Sequence, residues 1–354
     1  MDISNLQPKV WNNLQTIASG NKIGNAYLIH GPSGAGKEAL ALKFCSLLTG
    51  LKLDQFINHP NIFLIVPGDA DFYKKLFKNS KMDQKEYQDW NNFWREKLIF
   101  PLKENKFSNS KRIPIEVLKN LKKDIFFKSK KKKVVIIFDA HALSEGSAES
   151  ANALLKLLEE PPNNTSFLLI TNLTNNIVPT ISSRCQMIGI PRISSKYLFD
   201  ELGKNTNFNV EILSYLSSNN LHKINLLNES SKESILDIIR KYSESIQYKD
   251  AEVVSLFADN TLLNFNTKRE LFIFELDIIK KWLKCNMMIN ESITVPFIWN
   301  DFTDLSKEFL INNPNANILS LLKEVDSCLN NLKFNSAPKL SIMNMIINSH
   351  KSLS

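Results

Sequence analysis

Short apolar runs and amphipathic stretches alternate through roughly the first half of the chain. The apolar runs predict five strands, at residues 26–30, 61–66, 134–139, 167–171 and 187–190. Apolar residues recur at helical spacing between them, at 38–48, 113–127 and 150–160. The run at 134–138 has no polar alternation, which is typical of a parallel strand covered on both faces. The alternation predicts an open parallel sheet flanked by helices, with its sites at the carboxyl ends of the strands.

The pattern changes after Pro191, where the predicted strands stop. Several short helices are predicted over 194–248 and longer ones over 249–347. A chain of 354 residues is expected to form two or three domains. We therefore predict an α/β domain over 1–192, a small helical domain over 193–245 and an all-α domain over 246–354.

Composition narrows the class of protein. No run of about 18 apolar residues occurs, so no membrane span and no membrane partner are expected. The net charge of +8 permits contact with nucleic acid without establishing it. The four cysteines are scattered and form no CxxC pair, which argues against zinc and disulfides and predicts a reducing, cytoplasmic location. They are Cys45, Cys185, Cys285 and Cys328.

A glycine-rich loop, HGPSGAGKEALA, follows the first predicted strand and precedes a predicted helix. Its Gly31, Gly36 and Lys37 match the phosphate-binding pattern Gly-x4-Gly-Lys-Ser/Thr, and Gly34 adds to the backbone cradle for phosphates. Glu38 stands where the pattern has the hydroxyl that ligates Mg²⁺. Two like charges about 4 Å apart cost on the order of 4 kcal/mol at intermediate dielectric. Glu38 is therefore expected to turn to solvent or to bind the metal itself.

Asp139 ends the third predicted strand and could hold Mg²⁺ through water. Ala140 follows it, where hydrolytic phosphate-loop proteins carry the glutamate that polarises the attacking water. His141 is not expected to replace that glutamate, because side chains two residues apart need not share a face. We therefore predict no autonomous nucleotide hydrolysis, with bound ATP or ADP and Mg²⁺ left open.

Three further segments carry a family resemblance. NALLKLLEEPP (152–162), SFLLITN (166–172) and ISSRCQ (181–186) resemble the clamp-loader branch of the AAA+ family. The loop segment GNAYLIHGPSGAGKEALA (24–41) and NLKFNSAPKLSIMNMI (331–346) extend the likeness to the whole chain, which is most similar to subunits of the delta-prime type from bacterial DNA polymerase III. The resemblance implies an AAA+ P-loop domain, a helical lid and a helical collar that mediates oligomerisation.

The resemblance also implies roles for single residues. Arg184 would be an arginine finger that enters the ATP site of a neighbouring subunit, where a guanidinium can neutralise charge on the γ-phosphate. The alternative is a surface arginine or one paired with a carboxylate. Thr171 and Asn172 occupy the sensor position, and His222 or Lys223 stands where a second sensor arginine is usual. That second contact is expected to be weakened.

The implied function is that of a stator in a complex that loads the sliding clamp onto primer–template DNA. The implied partners are the tau and gamma motor subunits and the delta subunit. No zinc is expected, because the cysteine cluster of the motor subunits is missing. The alternative is an active tau- or gamma-like ATPase in which Glu38 ligates Mg²⁺ and another carboxylate is the base. A small-molecule kinase would leave the Ser-Arg-Cys motif unexplained.

Three stretches receive no firm chemistry. The insertion at 68–107, with Trp90 and Trp94 four residues apart, is interpreted as core or surface packing. The lysines at 128 and 130–133 predict a solvated loop or a nucleic-acid contact. The apolar stripe at 271–283 could be core or a subunit interface.

Overall fold

A computed structural model describes two compact units of this chain. The sheet unit comprises Met1–Glu201 with Asn220–His222, and the helical unit comprises Leu202–Asn219 with Lys223–Ser354. The description covers residues 1–353 apart from 21–22, 79–81, 103–106, 109, 111, 128, 147, 203–207, 248–249, 251, 257, 260–268 and 334–336.

Five parallel strands form the core of the sheet unit. They are β1 (Ala26–His30), β2 (Ile62–Ile65), β3 (Lys133–Ile137), β4 (Thr165–Thr171) and β5 (Gln186–Gly189), in the spatial order β2-β3-β4-β1-β5. Every residue of β3 and of β4 is buried, as expected for parallel strands with both faces covered. Residue His30 is in register with Thr171 and with Gly189, so these three strands end together. The predicted parallel α/β architecture is confirmed.

Helices cover the sheet, and the three helices predicted in this unit are observed to within two residues of their predicted bounds. They are α1 (Ile3–Leu6), α2 (Pro8–Ser19), α3 (Lys37–Thr49), α4 (Ala70–Lys78), α5 (Gln84–Ile99), α6 (Ile115–Ile125), α7 (Glu149–Glu159), α8 (Pro179–Ser182) and α9 (Ser195–Leu202). Helix α3 ends at Gly50, whose left-handed backbone (φ 71°) lets its N–H bond to the carbonyl of Ser46. Most of α3 is buried, which places its first turn firmly against the sheet.

The 68–107 insertion contributes α4 and α5 to the core of the sheet unit. Asp83 begins α5 with a capping box, in which its carboxylate accepts from the Lys85 N–H while Glu86 returns to the Asp83 N–H. Trp90 and Trp94 are buried and meet edge to face at 5.4 Å between ring centroids. The insertion therefore packs as core, in line with the packing interpretation.

The helical unit has a core of its own. Its helices are α10 (Val210–Ser217), α11 (Leu221–Asn228, whose first two residues belong to the sheet unit), α12 (Lys232–Ser245), α13 (Arg269–Asn290), α14 (Asn300–Asn312), α15 (Ile318–Lys333) and α16 (Pro338–Lys351). One cluster of buried apolar residues runs from Phe208 to Ile346, and most of the 271–283 stripe belongs to it, with Trp282 fully buried. The stripe is therefore core. The division at 245 stays a prediction.

No helix within the described ranges is both long and apolar enough to cross a bilayer.

Candidate functional site

A cleft opens at the carboxyl ends of β3, β4 and β1. It encloses about 560 Å³ of space, part of it open to solvent. It is lined by Ser33, Gly34, Gly36, Lys37, Glu38, Pro101, Leu102, Asp139, Ile170, Thr171, Asn172, Leu221 and His222. The fold thus brings together every predicted nucleotide residue except Gly31, because parallel strands end at one edge of the sheet.

Close packing requires glycine in the loop. Gly36 precedes α3 with φ 83°, and a Cβ there would lie 2.2 Å from Cδ1 of Ile3. Gly31 has φ 156°, and its Cβ would lie 2.1 Å from the carbonyl oxygen of Ile190. Gly31 therefore shapes the loop from outside the cleft lining, against the backbone that follows β5.

Lys37 is the first residue of α3 and is buried, with 8% of its surface exposed. Its Nζ donates to the Pro32 carbonyl at 2.7 Å, inside its own loop. The ammonium thus lies over the loop whose backbone N–H groups can receive a phosphate. The phosphate cradle predicted from the glycine pattern stays a prediction.

Glu38 forms an ion pair that the sequence did not reveal. Its Oε2 accepts from Nζ of Lys97, on the inserted helix α5, at 2.5 Å. The Lys97 side chain is 2% exposed and that of Glu38 is 28% exposed. Lys97 Nζ also stands 5.0 Å from the ring centroid of Phe138 and 5.9 Å from that of Phe93. The carboxylate is therefore held by a buried ammonium, rather than turned out to solvent as one expectation had it.

A sequence signal for Lys97 did exist. Trp90, Trp94 and Lys97 follow the i, i+4, i+7 spacing of one helix face, and the two tryptophans predict that this face is buried. A lysine on a buried face requires a partner, since burying a charge alone is costly. The partner itself lies 59 positions away in sequence and could not be read from the helix.

The residues at the ends of the strands lie in the cleft or beside it. Asp139 lines the cleft with left-handed backbone (φ 46°), and Ala140 is fully buried. His141 Nδ1 lies 3.1 Å from Thr171 Oγ1, and that oxygen accepts the Leu173 N–H. His141 is not among the described residues that line the cleft. Only Glu38 and Asp139 supply carboxylates among the described lining residues.

His222 and Lys223, the two candidates for the second sensor, lie in different surroundings. His222 lines the cleft. Lys223 forms an ion pair with Asp277 of α13, within the helical unit. Of the two candidates for the second sensor, the structure therefore places His222 at the cleft.

Arg184 lies on the surface and outside its own cleft. Its Nη2 donates to Glu159 Oε1 at 2.7 Å, and its Nη1 donates to the Thr180 carbonyl at 2.9 Å. The side chains of Arg184 and Glu159 are 36% and 49% exposed. Glu159 is the first glutamate of the LEEPP segment (158–162). This hydrogen bond therefore joins that segment to the Ser-Arg-Cys segment (183–185). The alternative of a carboxylate partner is therefore present within the chain, and the pair leaves the guanidinium at the surface.

Cys185, beside this arginine, is not a reactive thiolate. Burial raises the pKa of its thiol to about 11, so the neutral thiol dominates at neutral pH.

The lysines at 128 and 130–133 do not share one environment. Lys133 is buried and donates to the carbonyls of Ile125 and Phe127, while Lys130 and Lys131 are exposed. Position 128 is outside the described residues.

The chain is similar in sequence to several known proteins. A family model described as "DNA polymerase III, delta subunit" matches residues 6–194. A "DNA polymerase III subunit delta'" of Buchnera aphidicola subsp. Baizongia pistaciae is 30% identical over 266 residues, which are 71% of this chain and 72% of the relative. A "DNA polymerase III subunit tau" of Bacillus subtilis is 44% identical over 72 residues, 20% of this chain and 12% of that one.

A solved structure of a DNA polymerase III gamma subunit-related protein from Thermotoga maritima covers 97% of this chain and 99% of its own, with a TM-score of 0.47 and 15% identity. The relatives thus include delta', gamma and tau subunits. The expected resemblance to a clamp-loader subunit of DNA polymerase III is confirmed.

Proposed function

The chain belongs to the DNA polymerase III delta subunit family, and from this premise we propose that it is a stator of the delta-prime type in a clamp loader. It occupies a fixed place among the motor subunits and has an impaired ATP site of its own. It lends Arg184 to the ATP site of one neighbour. The complex then places the sliding clamp on primer–template DNA.

The position of Arg184 carries this proposal. The guanidinium lies outside its own cleft, and Glu159 and the Thr180 carbonyl hold it at the surface. An arginine held in this way is available to a neighbouring chain at little cost in side-chain entropy. The γ-phosphate there carries charge that a planar guanidinium can neutralise in the transition state.

The cleft supports a non-catalytic role for the chain itself. The residue after Asp139 is a buried alanine, and the Mg²⁺-binding hydroxyl is replaced by a glutamate paired with Lys97. Both parts that a P-loop protein uses to position metal and water are therefore altered. The partners in this proposal are the tau or gamma motor subunits, the delta subunit, the clamp and the DNA.

The test is the DNA- and clamp-stimulated ATPase of the reconstituted loader with Arg184→Ala. We expect turnover to fall several-fold with assembly intact, because one shared site loses its transition-state cation. Arg240→Ala is the matched control, since Arg240 is an exposed arginine that also pairs with carboxylates, Glu233 and Asp237. Unchanged turnover in Arg184→Ala would refute the arginine-finger role.

A second candidate is an active ATPase of the tau or gamma type. The observation in its favour is that the cleft keeps Lys37 and Asp139 together with the glycine loop. It requires ATP turnover by the isolated chain that is lost in Lys37→Ala. Absence of such turnover in a chain that assembles normally supports the stator instead.

A further inference from the structure

Glu38 stands where a P-loop protein places a ligand of its metal, and Lys97 pairs with it from outside the cleft lining. In such proteins Mg²⁺ is held between the hydroxyl that follows the loop lysine and the aspartate at the end of the neighbouring strand. Position 38 supplies one side of that place and Asp139 the other. In this chain Lys97 Nζ contacts the carboxylate of Glu38, so an ammonium held in the protein interior neutralises the side chain at the first of these two positions.

We propose that the charge of the Lys97 ammonium, held against Glu38, takes the place of the charge of Mg²⁺ at this loop, so that the cleft binds a nucleoside diphosphate without a divalent cation. The inference deepens the impaired nucleotide site of the proposed function and rests on it. It concerns how the cleft holds phosphate, a property separate from what Arg184 does at a neighbour.

The residues present do not suit Mg²⁺. The hydroxyl ligand is missing, and one oxygen of the carboxylate that replaces it is already occupied by the ammonium. A dication brought to Glu38 would be repelled by Lys97. Lys97 cannot readily withdraw, because its side chain is only 2% exposed and its helix is fixed by Trp90 and Trp94 in the core.

The residues do suit a metal-free diphosphate. The loop keeps its glycines, and Lys37 lies buried over the loop. The charges of Lys37 and Lys97 balance those of Glu38 and Asp139. A P-loop with an Asp-Glu pair and no second lysine would instead carry a net negative charge until Mg²⁺ bound. The fixed ammonium therefore removes the repulsion that the metal otherwise removes, and a diphosphate adds less charge than a triphosphate.

The test is a fluorescence titration of the full chain with N-methylanthraniloyl-ADP, once in EDTA and once in excess MgCl₂. We expect Kd values that agree within about twofold in the two buffers. The double variant Glu38→Thr/Lys97→Met restores the hydroxyl and removes the ammonium, and we expect Mg²⁺ to tighten its binding by about tenfold or more. Lys75→Met is the matched control, since Lys75 is a lysine of the same insertion that pairs with Glu86 near the surface.

The wild-type comparison alone can overturn the proposal, whatever the variants do. Tightening of wild-type binding by about tenfold in Mg²⁺ would refute it, and so would failure of the wild type to bind the nucleotide in EDTA. Because this readout is binding by the isolated chain, its failure is distinct from failure of the Arg184 test, which reads turnover of the assembled loader.

Discussion

Removing the acid from the Glu38–Lys97 pair should destabilise the sheet unit more than removing the lysine. Glu38→Gln removes the carboxylate charge from beside an ammonium that is 2% exposed. Breaking a buried pair from one side costs about 3–5 kcal/mol, and the partial exposure of Glu38 places this case near 3 kcal/mol. Lys97→Met keeps an apolar stem against Phe138 and leaves a carboxylate that is 28% exposed and can turn to water. We expect that change to cost about 1 kcal/mol.

Hydrogen exchange measured by mass spectrometry under mild urea is the suitable assay, because the chain has two units and its unfolding need not be two-state. The free energy of opening is read from peptides of α3 and α5, and peptides of α13 in the helical unit serve as the internal reference. Glu86→Gln is the control variant. The side chains of Glu86 and Lys75 are 35% and 42% exposed, so the free energy of opening should change much less than in Glu38→Gln. Equal costs for Glu38→Gln and Lys97→Met, or a larger cost for the lysine variant, would refute the reasoning.

Three further outcomes follow from the structure. Gly31→Ala places a Cβ 2.1 Å from the Ile190 carbonyl oxygen, so the thermal midpoint should fall as the loop shifts, and an unchanged midpoint would contradict the packing. Trp94→Ala opens a cavity beside Phe138 and should cost about 3–5 kcal/mol in the exchange assay; a loss under about 1 kcal/mol would mean that the insertion is peripheral. Burial lowers the pKa of Lys281 from 10.5 to about 8, so the unfolded chain binds more protons between these values and stability should rise with pH across that window. Lys281→Met should remove this slope in urea titrations at several pH values, and persistence of the slope would assign it to another group.

The sequence by itself determined the five strands of the sheet unit and three of its helices, in their order along the chain. Strand and helix periods are local properties, so β3 and α3 could be placed to within a residue or two. The helix predicted over 113–127 is observed as Ile115–Ile125, because Pro114 stays extended before it and Phe126 caps it. The cleft residues could also be predicted, since the ends of parallel strands meet at one edge of a sheet whatever the details of packing.

Only the tertiary structure decided which charges meet. Lys97 and Glu38 are 59 positions apart, and Arg184 and Glu159 are 25 apart, so neither pair leaves a local pattern. The path of the inserted helix α5 brings Lys97 to the loop, and burial of both tryptophans fixes that path. Local periodicity specifies which face of an element is buried, but the partner of a buried charge is set by the packing of elements distant in sequence. For this reason the altered loop could be recognised from the sequence, whereas the lysine that neutralises it could not.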